Sequence, residues 1–582
     1  MYDIRSFTLP ELVEEGARHY AGRPVLAMVG KDPVHYDELE PLTRRAAALL
    51  ELYGVKKGDR VALLSENRPE WGISYLGGSR AGAVLVPILT DFMPEQIANI
   101  IGHSESSVIF ASRKFLPKIA DLGKKHVIVS VEDLSLLVGP PGSFDASTKE
   151  GAAKLESAVS AWKRVEVSGD DLAAVVYTSG TTGLSKGVML THRNIVWDAW
   201  ACRSIILLRR TDRLLSVLPL AHTYEFTVAF VIGLMQGSAT YYLDKPPTAT
   251  VLLPALKAVR PTIMLTVPLI MEKIYRASIK PTLEAMSLYK IPAFKPILER
   301  LAGIKLKKTF GGKIRFFGIG GAPLAADVEA FLYNAHFNYA IGYGLTETAP
   351  MLAGAAPGKQ KLRSTGPILK GVEVRIANPR PDSGEGEIQV RGPNVTKGYY
   401  KDPERTKEIF TEDGWFRTGD LGLLDEAGRV YVRGRSKTMI LGSSGENIYP
   451  EEIEAVINRS PWVAESLVYG DGNGLVALVQ LKPEVIEEMT ARVKDGLDSA
   501  EMAAARMSKA VSGAAAQASH VAGEAFASAE HSAGLMLERI KKEANEKLAA
   551  FSRIGTVKLQ HEPFEKTPTQ KIKRFLYPGK KP

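Results

Sequence analysis

Residues 172 to 191, LAAVVYTSGTTGLSKGVMLT, place an apolar run, a cluster of hydroxyls and glycines, one lysine and a second apolar run in order. Backbone N–H groups can converge on phosphate oxygens only where side chains are absent, which Gly180 and Gly183 provide. Thr178, Ser179, Thr181 and Thr182 add hydroxyl donors, and Lys186 adds a positive charge. A polar hairpin turn also uses Gly and Thr, but four such hydroxyls, two glycines and a lysine within nine residues exceed what a turn needs. The spacing is not Gly-x4-Gly-Lys-Ser/Thr, and a strand rather than a helix is predicted to follow, which disfavours a P-loop kinase or GTPase. Gly318-Ile319-Gly320-Gly321-Ala322-Pro323 does not complete a dinucleotide fingerprint, because Pro323 stands where the third glycine belongs. The chemistry is phosphate binding by another route.

Further along lie LPLAHTYE (218–225), GGAPL (320–324), GYGLTE (342–347), TGD (418–420), GRSK (434–437), GENIYPEEIE (445–454) and KTPTQKIKR (566–574). Singly each has a bland reading: Glu347 a surface carboxylate, Tyr343 a core ring, Asp420 a turn residue, His222 a satisfied core histidine, Lys571 one solvated lysine in a basic tail. Together with YTSGTTGLSKGV (177–188), and in this order, they resemble the adenylate-forming (AMP-binding) superfamily across essentially the whole chain. The GENIYPEEIE motif, the long insertion before Lys571 and the ending resemble its long-chain fatty acyl-CoA synthetase branch most.

That resemblance implies roles. The loop of Thr178, Ser179, Gly180, Thr181, Thr182, Gly183 and Lys186 would grip the β- and γ-phosphates of ATP. Thr178 and Glu347 would hold Mg2+, a hard cation that takes few protein oxygens and bridges phosphates. Tyr343 and Gly344 would line the adenine, with Gly321, Ala322 and Pro323 as the opposite wall. Thr346 would hydrogen-bond the α-phosphate. Asp420 would accept from both ribose hydroxyls, for which an ionised carboxylate is apt. Arg435 would steady ribose or phosphate, and Lys437 would be the hinge. Lys571 would bridge the substrate carboxylate and the α-phosphate, and His222 would gate the acyl pocket. Ser444 and Gly445 would face the coenzyme A (CoA) tunnel. Lys573 and Arg574 are expected to be solvated. Ser185 departs from the usual Pro and Gln570 from the usual Gly, and neither removes a ligand.

The elements that must position these residues alternate between strand and helix from about residue 35 to 435, in runs such as VALLSE (61–66), AVLVPIL (83–89), SVIFA (107–111) and IRFFGIGG (314–321). The predicted fold is α/β: a large N-terminal domain of parallel α/β sheets with a small β-rich subdomain from about 386, then a small mobile α+β C-terminal domain. The expected boundaries are 1–434, a hinge at 435–437, and 438–582. An Ala-rich segment, 485–547, with nearly balanced charges reads as a helical surface insertion. Residues 71–90 and 223–243 approach bilayer-spanning length, but Arg80, Glu225 and Gln236 interrupt them, so they read as buried helix–strand units.

Composition bounds the rest. With 582 residues, 45% hydrophobic and 24% charged, the chain is globular and longer than one core usually organises. The net charge of +9 is scattered rather than striped, which argues against nucleic acid and leaves a peripheral membrane contact open. One cysteine, Cys202, excludes an internal disulfide and fits a reducing cytoplasm. The N-terminus carries acidic residues and no signal-peptide core. The reading is an ATP-dependent acid–CoA ligase working through acyl-AMP, with a fatty acid as the acid. The alternatives are an acyl-AMP ligase, a synthetase feeding an acyl carrier protein, or an aryl or short-chain acid–CoA ligase. The oligomeric state stays open, a homodimer included.

Overall fold

The computed structural model describes residues 2–178, 186–441, 447–471, 474–488, 533–566 and 572–577. The chain divides into two compact units, Met1–Val432 and Arg433–Pro582, so the division falls within the strand Arg429–Arg435.

The first unit is built on two large sheets. One runs Leu136–Val138, Val127–Ser130, Val108–Ala111, Arg60–Leu64, Val84–Pro87, Leu172–Thr178, Lys186–Thr191. The other runs Met351–Gly354, Tyr339–Gly344, Phe316–Ile319, Ile263–Thr266, Arg213–Ser216, Ala239–Tyr242, Pro24–Met28, Val34–His35. Central strands such as VALL and FFGI are apolar without alternation because helices cover both faces, and all are buried. The expected parallel pairing holds in the middle of each sheet, while the edge pairs are antiparallel. Those edge strands follow their neighbours after short connections, too short for a crossover helix.

Between the sheets lies a core that includes Trp71, Tyr75, Phe226 and Phe230, with ring centroids of Tyr75 and Phe226 4.4 Å apart. The helices Tyr36–Leu52 and Pro69–Arg80 meet closely at Gly77, where a Cβ would lie 2.5 Å from Ala46 Cβ. Residues 71–90 thus form a helix and a strand, and 223–243 form helical turns and the strand Ala239–Tyr242. No described helix is long and apolar enough to cross a membrane. The β-rich subdomain is a sheet ordered Gly366–Pro367, Arg429–Arg435, Phe416–Leu424, Gly386–Arg391, Glu373–Ala377.

In the second unit, Val463–Gly470 pairs antiparallel with Leu475–Leu481, which pairs parallel with Thr556–Leu559. The helix Pro450–Ile457 packs on this sheet through Ile453 and Ile457. Of the Ala-rich insertion, residues 489–532 lie outside the described residues, and 533–545 are helical, burying Leu537 and Ile540 in the same core. The tail corrects one expectation. Arg574 is not a solvated cation: its guanidinium donates to the buried Glu454 and lies 3.7 Å from Glu451. Burial pushes the Glu454 carboxyl up and the Arg574 charge opposes it. A carboxylate taken out of water needs such a partner, which a basic tail three residues after Lys571 supplies. Lys573 pairs at 3.2 Å with Glu565 near the surface.

Candidate active site

In the second sheet, the strands Arg213–Ser216, Ile263–Thr266, Phe316–Ile319 and Tyr339–Gly344 are parallel, so their carboxyl ends share one edge. Ligands of open α/β sheets bind at such an edge. The loops that leave it carry three of the sequence motifs: His222 after the first strand, Gly320 to Pro323 after the third, and Leu345 to Glu347 after the fourth. Gly321 adopts φ +86, which brings the chain sharply away from the sheet. His222 is half-buried, and its Nδ1 accepts from Tyr224 N at 3.2 Å, capping the short helix Thr223–Glu225. Helix geometry continues as a π-helical stretch, Phe226–Val231, a form that recurs at functional sites.

The hairpin Leu172–Thr178 and Lys186–Thr191 forms as the apolar–polar–apolar pattern predicts, with Thr178 opposite Lys186. Lys186 Nζ donates to Tyr399 Oη at 2.8 Å, and Tyr399 Oη donates to Glu347 Oε1 at 2.8 Å. Lys186 Nζ also lies 3.6 Å from Glu347 Oε1 and 4.5 Å from the centroid of the Tyr399 ring. A hydroxyl that accepts from a cation while donating to an anion is polarised in one direction, so both of its hydrogen bonds are strengthened. Lys186 and Glu347, chosen from separate motifs, are therefore joined through a residue that the motif reading missed. Tyr399 lies in the run VTKGYYKDP (395–403), whose Gly, Asp and Pro read as a turn and whose charged residues read as its solvated face.

Glu347 is held by its main chain as well. Thr396 N donates to Glu347 O at 2.8 Å, and the segment around it pairs with the hairpin through Met189 N to Gly398 O at 2.9 Å and Tyr400 N to Gly187 O at 2.8 Å. Behind the turn Thr346–Thr348, the Asn394 amide reaches Thr348 O at 3.0 Å and Met351 O at 2.7 Å, and the buried Asp198 accepts from Met351 N at 3.1 Å. Burial pushes the Asp198 carboxyl well above its ordinary range. Gly344 is required here because a Cβ would lie 1.7 Å from Pro350 O. Neither Asn394 nor Asp198 lies in a motif, and only the folded chain brings them to this turn.

Tyr343 and Asp420 also meet. The Tyr343 hydroxyl donates to Asp420 Oδ2 at 2.7 Å, and both residues are buried. Asp420 lies in the strand Phe416–Leu424, where Thr418 Oγ1 accepts from Asp420 N at 3.1 Å. Arg435 ends the strand Arg429–Arg435, and Lys437 sits in the turn closed by Met439 N to Arg435 O at 3.0 Å. Ser179, Gly180, Thr181, Thr182, Gly183, Ser444, Gly445 and Lys571 lie outside the described residues.

Two observations bear on a cation. The Thr178 hydroxyl is buried with no hydrogen-bond partner among the described residues. Among the described residues no group of three or more His, Cys, Asp or Glu is placed to hold a metal. The Thr178 oxygen fits Mg2+, which binds through one or two protein oxygens plus phosphates. A small apolar cavity of about 10 Å³, room for about one water, borders the same sheet, lined by Cys202, Ile206, Tyr224, Val228, Gly318 and Met351 among others.

An edge of parallel strands, a two-stranded hairpin and a lysine joined through a tyrosine to a glutamate make up the candidate site. A model of the AMP-binding enzyme family matches residues 13–400, and the chain belongs to that family. It is 32% identical over 471 residues to a long-chain-fatty-acid–CoA ligase of Mycobacterium bovis, covering 76% of each chain. It is 30% identical over 574 residues to fatty acyl-CoA synthetase A of Dictyostelium discoideum, covering 91% of this chain and 81% of that one. Among solved structures it resembles ATP-bound MatB from Rhodopseudomonas palustris, with a TM-score of 0.70, 26% identity and coverage of 97% and 98%.

Proposed function

We propose that this chain is an ATP-dependent fatty acid–CoA ligase that works through an acyl-AMP intermediate. The observation that carries the reading is the Lys186–Tyr399–Glu347 cluster beside the hairpin, joined to family membership and to relatives named for long-chain fatty acids.

In the first half-reaction a carboxylate oxygen of the acid attacks the α-phosphorus of ATP, and pyrophosphate leaves with the electron pair of the broken P–O bond. Lys186 and the loop 178–186 offset the charge of the leaving phosphates. Thr178 and Glu347 would hold Mg2+, which supplies further neutralisation on the phosphate oxygens. Thr346 orients the α-phosphate, and the Tyr343–Asp420 pair receives adenine and ribose against Gly321, Ala322 and Pro323. Lys571 bridges carboxylate and α-phosphate, where anion attacks anion. In the second half-reaction the CoA thiol, losing its proton, attacks the acyl carbonyl and AMP leaves. For this step the C-terminal domain, about 438–582, turns about Lys437 and presents Ser444 and Gly445 to the pantetheine. His222, in the loop after the strand Arg213–Ser216, gates the entry of the acid.

The test is AMP release, with and without CoA, across acids from acetate to oleate and several aryl acids. Activity that rises with chain length and requires CoA is the expected result, each buried methylene adding up to ~0.8 kcal/mol until the pocket is full. Preference for acetate or benzoate removes the fatty acid assignment. AMP release that requires an acyl carrier protein instead of CoA removes the acceptor.

A further inference from the structure

The helix Lys295–Thr309 packs inward through Glu299, Gly303 and Leu306, whose spacing of four and three residues makes one face. Glu299 spends its charge on that side, accepting from Tyr289 Oη at 2.8 Å and Asn334 Nδ2 at 2.9 Å. On the opposite face Ile297, Leu301 and Ile304 repeat the same spacing and are 56%, 56% and 60% exposed. The segment leading into the helix adds Met286, Leu288, Ile291 and Phe294, each 41% to 50% exposed. Among the described residues, these seven of eighteen large exposed apolar side chains fall within nineteen consecutive positions. Scattered exposed apolar residues are ordinary, but a contiguous patch marks an interaction surface.

Charge identifies the partner. From Met286 to Lys308 there are six basic residues, Lys290, Lys295, Arg300, Lys305, Lys307 and Lys308, against one acid, the inward-facing Glu299. By helical position Arg300 and Lys305 flank the Ile297–Leu301–Ile304 stripe, and Lys308, one turn beyond Ile304, closes its end. A protein partner's apolar groove would fit the stripe alone. A ring of cations around an apolar stripe, with long stems that can lie along apolar surface, fits the boundary between acyl chains and anionic headgroups. We infer that residues 286–308 dock this protein onto an anionic lipid bilayer, with Ile297, Leu301 and Ile304 entering the acyl boundary and the flanking lysines contacting the headgroups. The inference rests on this surface and not on the acid or the acceptor that the enzyme uses.

The experiment is co-sedimentation of the full chain with vesicles of phosphatidylcholine, with and without phosphatidylglycerol, at low and high salt. The wild type is expected to pellet with the anionic vesicles and to be released by salt. A combined Ile297→Glu, Leu301→Glu, Ile304→Glu variant should lower the bound-to-free ratio by on the order of 10-fold or more, as should Lys305→Glu with Lys308→Glu. Pyrophosphate release with a water-soluble acid and no vesicles should match wild type in both variants, a check that they fold. Wild type that stays in the supernatant overturns the inference, as does equal pelleting without the anionic lipid or unchanged pelleting of the Glu variant. Sedimentation velocity covers the remaining occupant: a wild-type dimer that ignores vesicles, dissolved by the Glu substitutions, would make this face an interface between copies and overturn it as well.

Discussion

At Tyr399 a single hydroxyl mediates between the cation and the carboxylate of the phosphate site. Tyr399→Phe keeps the ring under Lys186 and deletes both hydrogen bonds. Hydrogen bonds to charged groups contribute about 1.5–3 kcal/mol, so pyrophosphate release should slow by ~10-fold or more while the melting temperature changes little. A Mg2+ titration of both proteins checks it, and a variant with wild-type rate and Mg2+ dependence would remove Tyr399 from the site. Glu225 poses a different question. It is buried with Oε2 unpartnered, and burial pushes its carboxyl up from 4.5 to about 8. The folded state then keeps its proton where the unfolded chain has lost it, so stability is full below the unfolded value. It falls as pH rises from 4.5 to about 8, by up to ~1.4 kcal/mol per pH unit. Glu225→Gln should flatten that slope in urea melts taken at pH 5 and pH 8 (about three units apart). An unchanged slope would mean that the carboxylate is ionised in the fold.

At the scale of elements, the turn after the strand Tyr339–Gly344 is a backbone-to-backbone contact before it is a binding site. Gly344→Ala forces a Cβ against Pro350 O and should destabilise by about 1–3 kcal/mol while depressing adenylation. Gly342→Ala meets only the flexible Met351 thioether, at 2.9 Å from Cε, and should be milder in both urea midpoint and rate. Equal effects would say that the turn adapts. The sequence made these strands legible because buried strands are written as local apolar runs, and the hairpin because its two strands flank one polar loop. Glu347, Asp420 and Lys186 were legible as chemical types inside ordered motifs. What joins them was not: Tyr399, Asn394 and Asp198 act through neighbours brought from far along the chain, and a tyrosine or buried acid carries no local sign of such a partner. The antiparallel sheet edges were missed for a related reason, since pairing direction depends on connection length and not on strand composition.

For the whole molecule, two units and two half-reactions invite a crossed experiment. Lys571→Ala should lower acyl-AMP formation by on the order of 100-fold, the scale of removing one charge-stabilising donor, yet convert supplied acyl-AMP and CoA to thioester at near the normal rate. Lys437→Pro fixes φ in the turn after Arg435 and should show the reverse, because the ATP site keeps its residues while rotation is restricted. Both half-reactions failing equally in both variants would end the alternation scheme. The Arg574–Glu454 pair adds a boundary condition: Arg574→Ala leaves a carboxyl buried without its cation, so it should destabilise the second unit itself, read as a lower melting temperature.

Cys202 is the only thiol in the chain, fully buried, and it forms part of the wall of the apolar cavity. Burial also suppresses its thiolate, so a disulfide reagent in solution finds no target until the wall opens. The labelling rate is therefore a stopwatch for local opening at that wall, needing no engineered probe and no competing cysteine to remove. A ligand that stiffens the packing around that wall would slow the stopwatch, and acids could be ranked by how long they keep one sulfur dark.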